Sequence, residues 1–441
     1  MMPRPRQDAG SRRRSLESRD ETKPRNVPVR QRVAVIGAGV VGLACASRLQ
    51  MQGHELTLID PRPPGEYCSL GNAGCFSRAS CVPLGLPGTW RKVPGWLIDP
   101  TGPLHIRLRY LPRVAPWLLR FQRSTSMPRV EQISSALHRL LTVTLDKWRP
   151  LAERARVPEL IVQRGHAFTY ESAAAFDADA LGRELRRRQG VAIELLTGGA
   201  IRDFDPALSP RLTHLVLLPE QGHCPNPLRL SRALAERLQM EGARFVARPA
   251  RGFEVAGGRV LRVLTEGDPV DADAVVVAAG AHSNSLSAQL GADVPLETER
   301  GYHLMLESPS IVPRIPIASG EGKYFATPME GGLRVAGTVE LAGLDAAPDW
   351  RRADAMLGKL RRALPLLRHA NVERWMGHRP SLPDSLPVIG RASRAANAYF
   401  AFGHGHVGLT AAAPTGEIVA DLVAGRAPFM DISAFTADRF R

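Results

Sequence analysis

The sequence predicts an α/β protein in which a Rossmann-like nucleotide-binding unit is interrupted along the chain and a second part is built from an antiparallel sheet with helices. Two observations lead to this prediction. A strand, a glycine-rich turn and a helix start occupy residues 32–46, and strand-dense sequence lies far from them, around 243–279, 296–306 and 323–339. Strand-rich segments away from a nucleotide fingerprint are typical of an antiparallel sheet that covers a ligand site.

The first element is an apolar strand that runs into a three-glycine turn and then into an apolar helix. The glycines are Gly37, Gly39 and Gly42. They allow a tight turn, close approach of backbone N–H groups to a pyrophosphate, and close packing of helix on strand. A second strand, over 55–59, leads to Asp60, whose carboxylate can accept hydrogen bonds from ribose hydroxyls. The pattern favours dinucleotide binding over a glycine-rich turn that binds nothing.

Later elements are predicted from periodicity and from stop signals. Apolar residues at helical spacing predict long amphipathic helices from about 130 to 156 and from 177 to 189. A last helix is expected from Leu409 to Ala424, with Gly425 as its stop.

The length of 441 residues suits two closely associated domains, each with its own core. We expect a disordered basic leader over 1–31. The predicted nucleotide-binding domain comprises 32–98, 215–290 and 375–441, and the predicted substrate domain comprises 99–214 and 291–374.

Charge and cysteine content restrict the function classes. The net charge is +15, and residues 1–32 carry ten Arg or Lys against four Asp or Glu. No apolar region follows the arginines of the leader, so it does not resemble a secretory signal. No nucleic-acid-binding module accompanies the positive charge, so no nucleic-acid partner is expected. The five cysteines are odd in number and never spaced as CxxC, which favours a reducing, cytoplasmic location and argues against a metal site.

Four further segments are suited to holding a flat or phosphorylated ligand. Residues 69–74 read SLGNAG, a small polar loop, and residues 273–283 form an apolar strand that enters a small-residue turn. Near the end, GHRP at 377–380 precedes PVIG at 387–390, and 401–410 place glycines before a helix. The free N–H groups of such a helix can stabilise negative charge.

These segments together resemble the FAD-dependent D-amino-acid oxidase superfamily, and most closely its bacterial D-amino acid dehydrogenase branch. The resemblance covers nearly the whole chain after the leader. It rests on the three-glycine fingerprint, the SLGNAG loop, VVVAAGAHS at 275–283, ERGYH at 299–303, and GHRPSLPDSLPVIG followed by GHGHVGLT. It implies one noncovalent FAD in a fold of the D-amino-acid oxidase and glutathione reductase type, with the isoalloxazine at the interface with the substrate domain.

The resemblance also implies the residues that contact the cofactor. They are Gly37, Gly39, Val40, Val41, Gly42, Asp60, Ser69, Asn72, Ala73, Gly74, Ala279, Gly280, Gly403, His404, Gly408, Leu409 and Thr410. Two positions depart from many relatives: Asp60 replaces a glutamate and Leu70 replaces a phenylalanine.

Three residues are candidates for the substrate side. Arg379 lies in the motif that resembles the carboxylate-binding segment of the family, and a guanidinium can hold both carboxylate oxygens in a planar fork. The alternative is a structural arginine that ties the domains together. Tyr302 and His303 share a predicted strand, so only one of them is expected to face the site. Tyr302 is the candidate carboxylate or lid contact, with an interface tyrosine as the alternative. His404 and His406 are possible bases, but His404 is better interpreted as a loop or flavin contact.

The implied reaction is oxidative deamination of a D-amino acid, with hydride passing from Cα to flavin N5 and the imine hydrolysing to a 2-oxo acid and ammonia. The electrons would pass to a quinone or another respiratory acceptor. The segment 93–129 mixes aromatic, aliphatic and arginine residues and could make a peripheral contact with the inner face of the cell membrane.

Three alternatives remain open. The first is a D-proline or cis-4-hydroxy-D-proline dehydrogenase that gives a cyclic imine, for which Trp96 would help to form a compact site. The second is a glycine or sarcosine oxidase that uses O2. The third is a catalytically silent flavin-binding subunit.

Overall fold

The computed structural model describes residues 30–89, 102 and 104–441. The leader up to residue 29 and the segment 93–98, with Trp96, lie outside the described residues. The strands are β1 (Arg32–Ile36), β2 (Glu55–Ile59), β3 (Cys75–Phe76), β4 (Leu104–Ile106), β5 (Val162–Gln163), β6 (His166–Tyr170), β7 (Glu194–Thr197), β8 (His214–Leu218), β9 (Gly222–His223), β10 (Arg244–Val246), β11 (Ala250–Ala256), β12 (Arg259–Thr265), β13 (Val270–Asp271), β14 (Ala274–Val277), β15 (Glu297–Leu306), β16 (Ile317–Ser319), β17 (Tyr324–Met329), β18 (Gly332–Leu341), β19 (Val372–Ser381), β20 (Val388–Arg391) and β21 (Ala398–Phe402). The α-helices are α1 (Val40–Met51), α2 (Leu111–Arg123), α3 (Met127–Leu141), α4 (Thr144–Arg154), α5 (Ala173–Ala178), α6 (Ala180–Arg188), α7 (Gly199–Phe204), α8 (Pro227–Met240), α9 (Asn284–Gln289), α10 (Arg351–Ala363) and α11 (Gly408–Val423).

The nucleotide-binding part is a six-stranded sheet in the order β10-β2-β1-β14-β21-β20, parallel except for β20 at one edge. Successive residues of β1 point to opposite faces of this sheet. Val33 and Val35 join a core with α1 and α11, whereas Ala34 and Ile36 join a core on the other face. A parallel sheet buried on both faces explains why its strands are almost entirely apolar.

The second large sheet has nine strands, with the path β19-β15-β18-β17-β16-β6-β8-β7 and β4 paired to β18. Its pairs are antiparallel except for β16 with β6 and β18 with β4. Helix α10 packs on β15 and β18 and closes a third core. The predicted α/β fold with two sheets is confirmed, but the second sheet is mixed rather than purely antiparallel.

The predicted elements differ from the observed ones at several points. The helix expected over 130–156 is two helices, α3 and α4, and the one over 177–189 is preceded by the short α5. The strand-dense region 243–279 contributes to two sheets: β10 and β14 join the parallel sheet, and β11 to β13 form a small sheet of their own. The C-terminal helix runs over 408–423, and Gly425 after it has φ +69°, as its stop requires.

Two predicted domain boundaries fall inside strands of the nine-stranded sheet. The boundary after residue 214 lies within β8, and the boundary after residue 374 lies within β19. A boundary inside a paired strand would divide one hydrogen-bonded ladder between two domains. We therefore propose that the divisions belong at the ends of these strands.

Candidate active site

A cleft of about 770 Å³ runs along the carboxyl ends of β1, β2, β14 and β21. This edge of a parallel sheet is where open α/β folds bind their ligands. Twelve of the predicted cofactor residues line it: Gly37, Gly39, Val40, Val41, Asp60, Ser69, Asn72, Ala279, Gly280, His404, Gly408 and Leu409.

The glycine turn is held in place by two side chains. The backbone N–H of Val40 donates to Ser69 Oγ at 2.9 Å, and that of Ala38 donates to Asp60 Oδ2 at 2.8 Å. Gly37 has φ +109°, and a Cβ there would lie 2.4 Å from the Ala278 carbonyl oxygen. Only glycine suits this position, because the turn passes directly against β14.

Five predicted cofactor residues do not line the cleft. Gly42 packs the start of α1 onto the turn, since a Cβ there would lie 1.9 Å from the Gly37 carbonyl oxygen. Thr410 is buried and donates to the Cys75 carbonyl at 3.0 Å. The others are Ala73, Gly74 and Gly403. These residues shape the neighbouring segments rather than the cleft surface.

His404 lines the cleft but is not poised as a base. Its Nε2 lies 3.0 Å from Thr415 Oγ1, and burial lowers its pKa to about 3. The imidazole is therefore neutral at physiological pH, and one of its nitrogens is engaged within the protein.

Arg379 lies on β19 opposite Glu299 of β15. Its guanidinium folds over Gly301 and donates to the Thr338 carbonyl at 3.1 Å. Its two neighbours on β19, His378 and Pro380, line the cleft instead, because side chains alternate along a strand. The end of β19 thus has the cleft on one side and Arg379 on the other.

His303 shares the sheet face of Arg379. It is buried, its Nδ1 lies 3.2 Å from the Gly71 carbonyl, and burial lowers its pKa to about 3. Its ring stacks on Trp375 at 4.9 Å, and the indole covers Gly71 and Gly377. This stack fixes the SLGNAG loop against the sheet.

Arg334 of β18, which the sequence did not single out, supports the same loop. It donates to the carbonyls of Leu70 and Asn72 at 2.9 and 2.6 Å. Burial lowers its pKa to about 10, so it remains charged at neutral pH.

Tyr302 is placed on the opposite face from Arg379 and does not line the cleft. It is 1% exposed, and its hydroxyl donates to Glu340 at 2.5 Å and accepts from the Asp349 N–H at 3.0 Å. Glu340 in turn pairs with Arg300 at 3.1 Å, and both side chains are buried. The hydroxyl is engaged in this network, which favours the interface interpretation of Tyr302 over the carboxylate contact.

A second cluster, at the cleft wall, was also missed from the sequence. The Tyr67 hydroxyl lies 2.5 Å from His378 Nδ1, and the two rings stack at 5.7 Å. His282 lies 5.8 Å from the Tyr67 ring on another side, and the guanidinium of Arg62 covers that ring at 3.7 Å. These residues come from three distant segments, and no local sequence pattern joins them.

No group of three or more His, Cys, Asp or Glu side chains suited to a metal occurs in the described parts of the chain. The five cysteines form no disulfide, and burial raises the pKa of Cys68, which lines the cleft, to about 11. None of the helices in the described ranges is both long and apolar enough to span a bilayer.

Comparison with known proteins decides the family. The family model described as FAD dependent oxidoreductase (DAO) matches residues 32–422. The chain belongs to the FAD-dependent oxidoreductase family. A D-amino-acid oxidase of Bradyrhizobium diazoefficiens is 44% identical over 424 residues, covering 94% of this chain and 100% of the relative. A D-amino acid dehydrogenase of Vibrio cholerae is 30% identical over 424 residues, covering 93% of this chain and 98% of the relative. Among solved structures, glycine oxidase of Geobacillus kaustophilus aligns with a TM-score of 0.70 and 21% identity, covering 92% of this chain and 98% of its own.

The cleft of this FAD-dependent oxidoreductase fits its cofactor on two observations. Gly39, the N-cap of α1, has no side chain to cap the helix, and the first turn carries no acidic residue, as an anion-binding helix start requires. Two buried polar atoms in the cleft wall, His378 Nε2 and Asn284 Oδ1, have no hydrogen-bond partner among the described residues. A bound ligand can supply the missing partners of such groups. Gly39, Val40, Asp60 and Gly280 would hold the dinucleotide.

Proposed function

We propose that this oxidoreductase oxidises D-amino acids, with the substrate carboxylate held by Arg379. The observation that carries the proposal is the position of Arg379 beside the cofactor cleft: its neighbours on β19, His378 and Pro380, line that cleft. Its charge also acts on the thiol of Cys68, which lines the cleft too, and lowers the pKa of that thiol against the effect of burial. A carboxylate held by Arg379 would therefore lie close to the bound cofactor. The relatives named D-amino-acid oxidase and D-amino acid dehydrogenase support this substrate class.

Arg379 has the properties of a carboxylate-binding residue. Its guanidinium has five N–H donors, and the Thr338 carbonyl is the hydrogen-bond acceptor identified for it. The opposing Glu299 is itself engaged by the Ser381 hydroxyl at 2.7 Å, and burial raises the pKa of that carboxyl. The charge of Arg379 acts on the pKa of Glu299 in the opposite direction, so the two side chains are near neighbours, but the donor identified for Glu299 is the Ser381 hydroxyl and not the guanidinium.

The protein's own contribution to the reaction is orientation rather than a strong base. Bound FAD supplies the hydride acceptor for the substrate Cα. Burial keeps the imidazoles of His303 and His404 neutral, so neither carries a positive charge that would repel the ammonium group of a substrate. When the substrate carboxylate is held in one place, the Cα–H bond of the substrate can be directed at the hydride acceptor. Such orientation can lower the activation barrier substantially.

For the electron acceptor we propose a quinone, reached at a membrane surface through α2. This helix exposes Leu119, and the turn before it exposes Leu108. It is joined to the site: the Tyr110 hydroxyl donates to Glu297 of β15 at 3.0 Å, and the Ser124 hydroxyl donates to the Pro383 carbonyl after β19 at 2.8 Å. Molecular oxygen is the second candidate, favoured by the 44% identical relative named an oxidase.

The proposal is tested by anaerobic reduction of the purified, FAD-loaded chain. Bleaching of the flavin is followed after addition of single D-amino acids, D-proline, cis-4-hydroxy-D-proline, glycine and the L-enantiomers. We expect bleaching by D-compounds and not by their L-enantiomers. Bleaching by glycine alone, or by L-compounds alone, would contradict the proposal.

The same preparation tests Arg379 and the acceptor. Arg379→Ala should bleach only at much higher substrate concentration, with its flavin content unchanged, and Arg379→Lys should fall between because it keeps the charge but loses the planar fork. Reoxidation of the reduced wild-type enzyme is then compared with a soluble quinone and with O2. Faster reoxidation by O2 and stoichiometric hydrogen peroxide would replace the quinone with oxygen.

A further inference from the structure

We propose that His378 contacts the FAD cofactor, as a neutral imidazole that the Tyr67 hydroxyl holds in one tautomer so that Nε2–H points to the ligand. The proposal rests on the family's FAD and adds residues that the glycine fingerprint does not include. It concerns cofactor binding and not the choice of substrate.

The tautomer follows from the hydrogen bond between the two rings. The Tyr67 hydroxyl and His378 Nδ1 are 2.5 Å apart, so one of the two atoms carries the shared proton. Burial raises the pKa of the Tyr67 phenol and lowers the pKa of His378 to about 4, so at neutral pH the phenol is protonated and the imidazole is uncharged. Arg62, which covers the Tyr67 ring, has no acceptor atom to take the phenol proton.

The phenol therefore donates to Nδ1, which must be the unprotonated nitrogen. In a neutral imidazole the remaining proton then resides on Nε2. His378 is 8% exposed, and its Nε2 is buried and makes no hydrogen bond of good geometry to a described residue. The backbone of Leu344, which lines the same cleft, is near enough to the ring to raise its pKa against the effect of burial. A buried N–H without a well-placed acceptor is costly, so the pair is suited to a ligand that brings one.

The position of His378 identifies the ligand as the cofactor. His378 lines the same cleft as Gly39, Asp60 and Gly280, the residues suited to the dinucleotide. Arg379, one residue further along β19, lies on the other face, over Gly301. The alternation of the strand thus directs His378 to FAD and Arg379 to the substrate.

The experiment titrates the apoprotein with FAD and follows quenching of flavin fluorescence and the visible spectrum of the bound flavin. His378→Leu removes the donor, and we expect the Kd for FAD to rise about tenfold. His378→Gln places an amide N–H near the position of Nε2 and should stay within about threefold of wild type. Tyr67→Phe keeps the ring but releases the tautomer, and its Kd should lie between those of wild type and His378→Leu.

Melting temperatures of the three apoproteins separate a loss of folding from a loss of binding. If His378→Leu does not fold, the comparison of Tyr67→Phe with wild type decides, because the phenyl ring preserves the packing. An unchanged Kd and spectrum in both His378→Leu and Tyr67→Phe would overturn the proposal. An unchanged Kd for FAD together with a raised KM would also overturn the proposal, because it would assign His378 to substrate binding.

These outcomes are distinct from those that test the proposed reaction. A weakened Kd for FAD in His378→Leu supports the inference even if no D-amino acid bleaches the wild-type flavin. Conversely, bleaching by D-amino acids combined with an unchanged Kd in the variants would retain the reaction and remove His378 from the cofactor site.

Discussion

Arg379 lies folded over Gly301, so that a Cβ at residue 301 would stand 2.2 Å from the central carbon of the guanidinium. Gly301 is on β15, next to the strand that carries Arg379. A side chain as small as a methyl group would therefore displace the guanidinium. The absence of a side chain at 301 is as necessary to the proposed carboxylate site as the arginine.

Gly301→Ala should raise the substrate KM by about tenfold or more, because it moves the guanidinium away from the carboxylate, and charge-assisted hydrogen bonds contribute about 1.5–3 kcal/mol. Flavin content should not change. Steady-state kinetics on the reactive D-amino acid measure the effect. Gly358→Ala, at an open position in α10 with nothing within 4 Å of the added Cβ, is the matched control. An unaltered KM in Gly301→Ala would separate Arg379 from the substrate.

Two glycines of the fingerprint should respond differently to the same change. Gly42→Ala puts a methyl group 1.9 Å from a backbone oxygen, so the apoprotein should melt at a lower temperature. At Gly39 the nearest atom to an added Cβ is Ser69 Oγ at 3.4 Å, so Gly39→Ala should fold normally. That methyl group would stand on the cleft surface, and the Kd for FAD should rise at least about tenfold, since backbone approach to the pyrophosphate is blocked. Equal melting temperatures for the two variants would contradict this division.

Tyr302→Phe should lower stability without slowing the reaction. The lost hydrogen bond goes to a buried carboxylate, Glu340, so we expect a loss of about 1.5–3 kcal/mol in the free energy of unfolding. Tyr324→Phe on β17, the strand beyond β18, is the control, because the Tyr324 hydroxyl contacts the neutral Ser319 side chain and, at 3.5 Å, the Lys359 carbonyl rather than a carboxylate. Chemical denaturation gives both free energies. A Tyr302→Phe enzyme with normal stability and a raised KM would restore the substrate contact that the sequence suggested.

The contrast between Asp60 and Tyr302 shows what the sequence could predict. The position of Asp60 follows from one strand–turn–helix–strand unit, whose contacts span about twenty residues and whose geometry is fixed locally. Tyr302 and His303 were correctly assigned to one strand with opposite faces, but the pattern of a strand does not say which face meets the site. That choice depends on β19 and β18, which pair with β15 from elsewhere in the chain.

The contact between Tyr67 and His378 could not be predicted from the sequence, for a related reason. The two residues are 311 positions apart, and they meet only because the loop after β2 and the end of β19 face one cleft. His378 lies in the GHRP segment that carries the family resemblance, but nothing in that segment or around Tyr67 indicates that the two side chains meet. Helix breaks such as that between α3 and α4 were missed because apolar periodicity continues across them.

Stability should fall as the pH is lowered from about 6.5 towards 3. His166 is buried, its Nε2 contacts the Gly222 carbonyl at 2.6 Å, and burial lowers its pKa to about 3. Between that value and the unfolded pKa near 6.5, the unfolded chain binds the proton and the folded chain does not, so acid favours unfolding by up to about 1.4 kcal/mol per pH unit for each such group. His166→Gln should make the pH dependence of the unfolding free energy shallower in this window and leave its slope above pH 7 unchanged. An identical slope in the variant would show that His166 titrates normally in the folded chain.

The surface of α2 makes the membrane contact directly testable. No acidic residue occurs between positions 102 and 130, whereas Arg109, Arg113, Arg120 and Arg123 are exposed beside Leu108 and Leu119. Exposed leucines among arginines suit an anionic membrane interface, where apolar burial and charge attraction add. We expect the chain to sediment with vesicles that contain anionic lipid, less so with neutral ones, and less as salt is raised. The double variant Leu108→Ser/Leu119→Ser should lose most of this binding. Met240→Ser, which removes an equally exposed apolar side chain on α8, should keep it. Equal binding by the two variants would move the contact away from α2 and remove the structural argument for a membrane-borne electron acceptor.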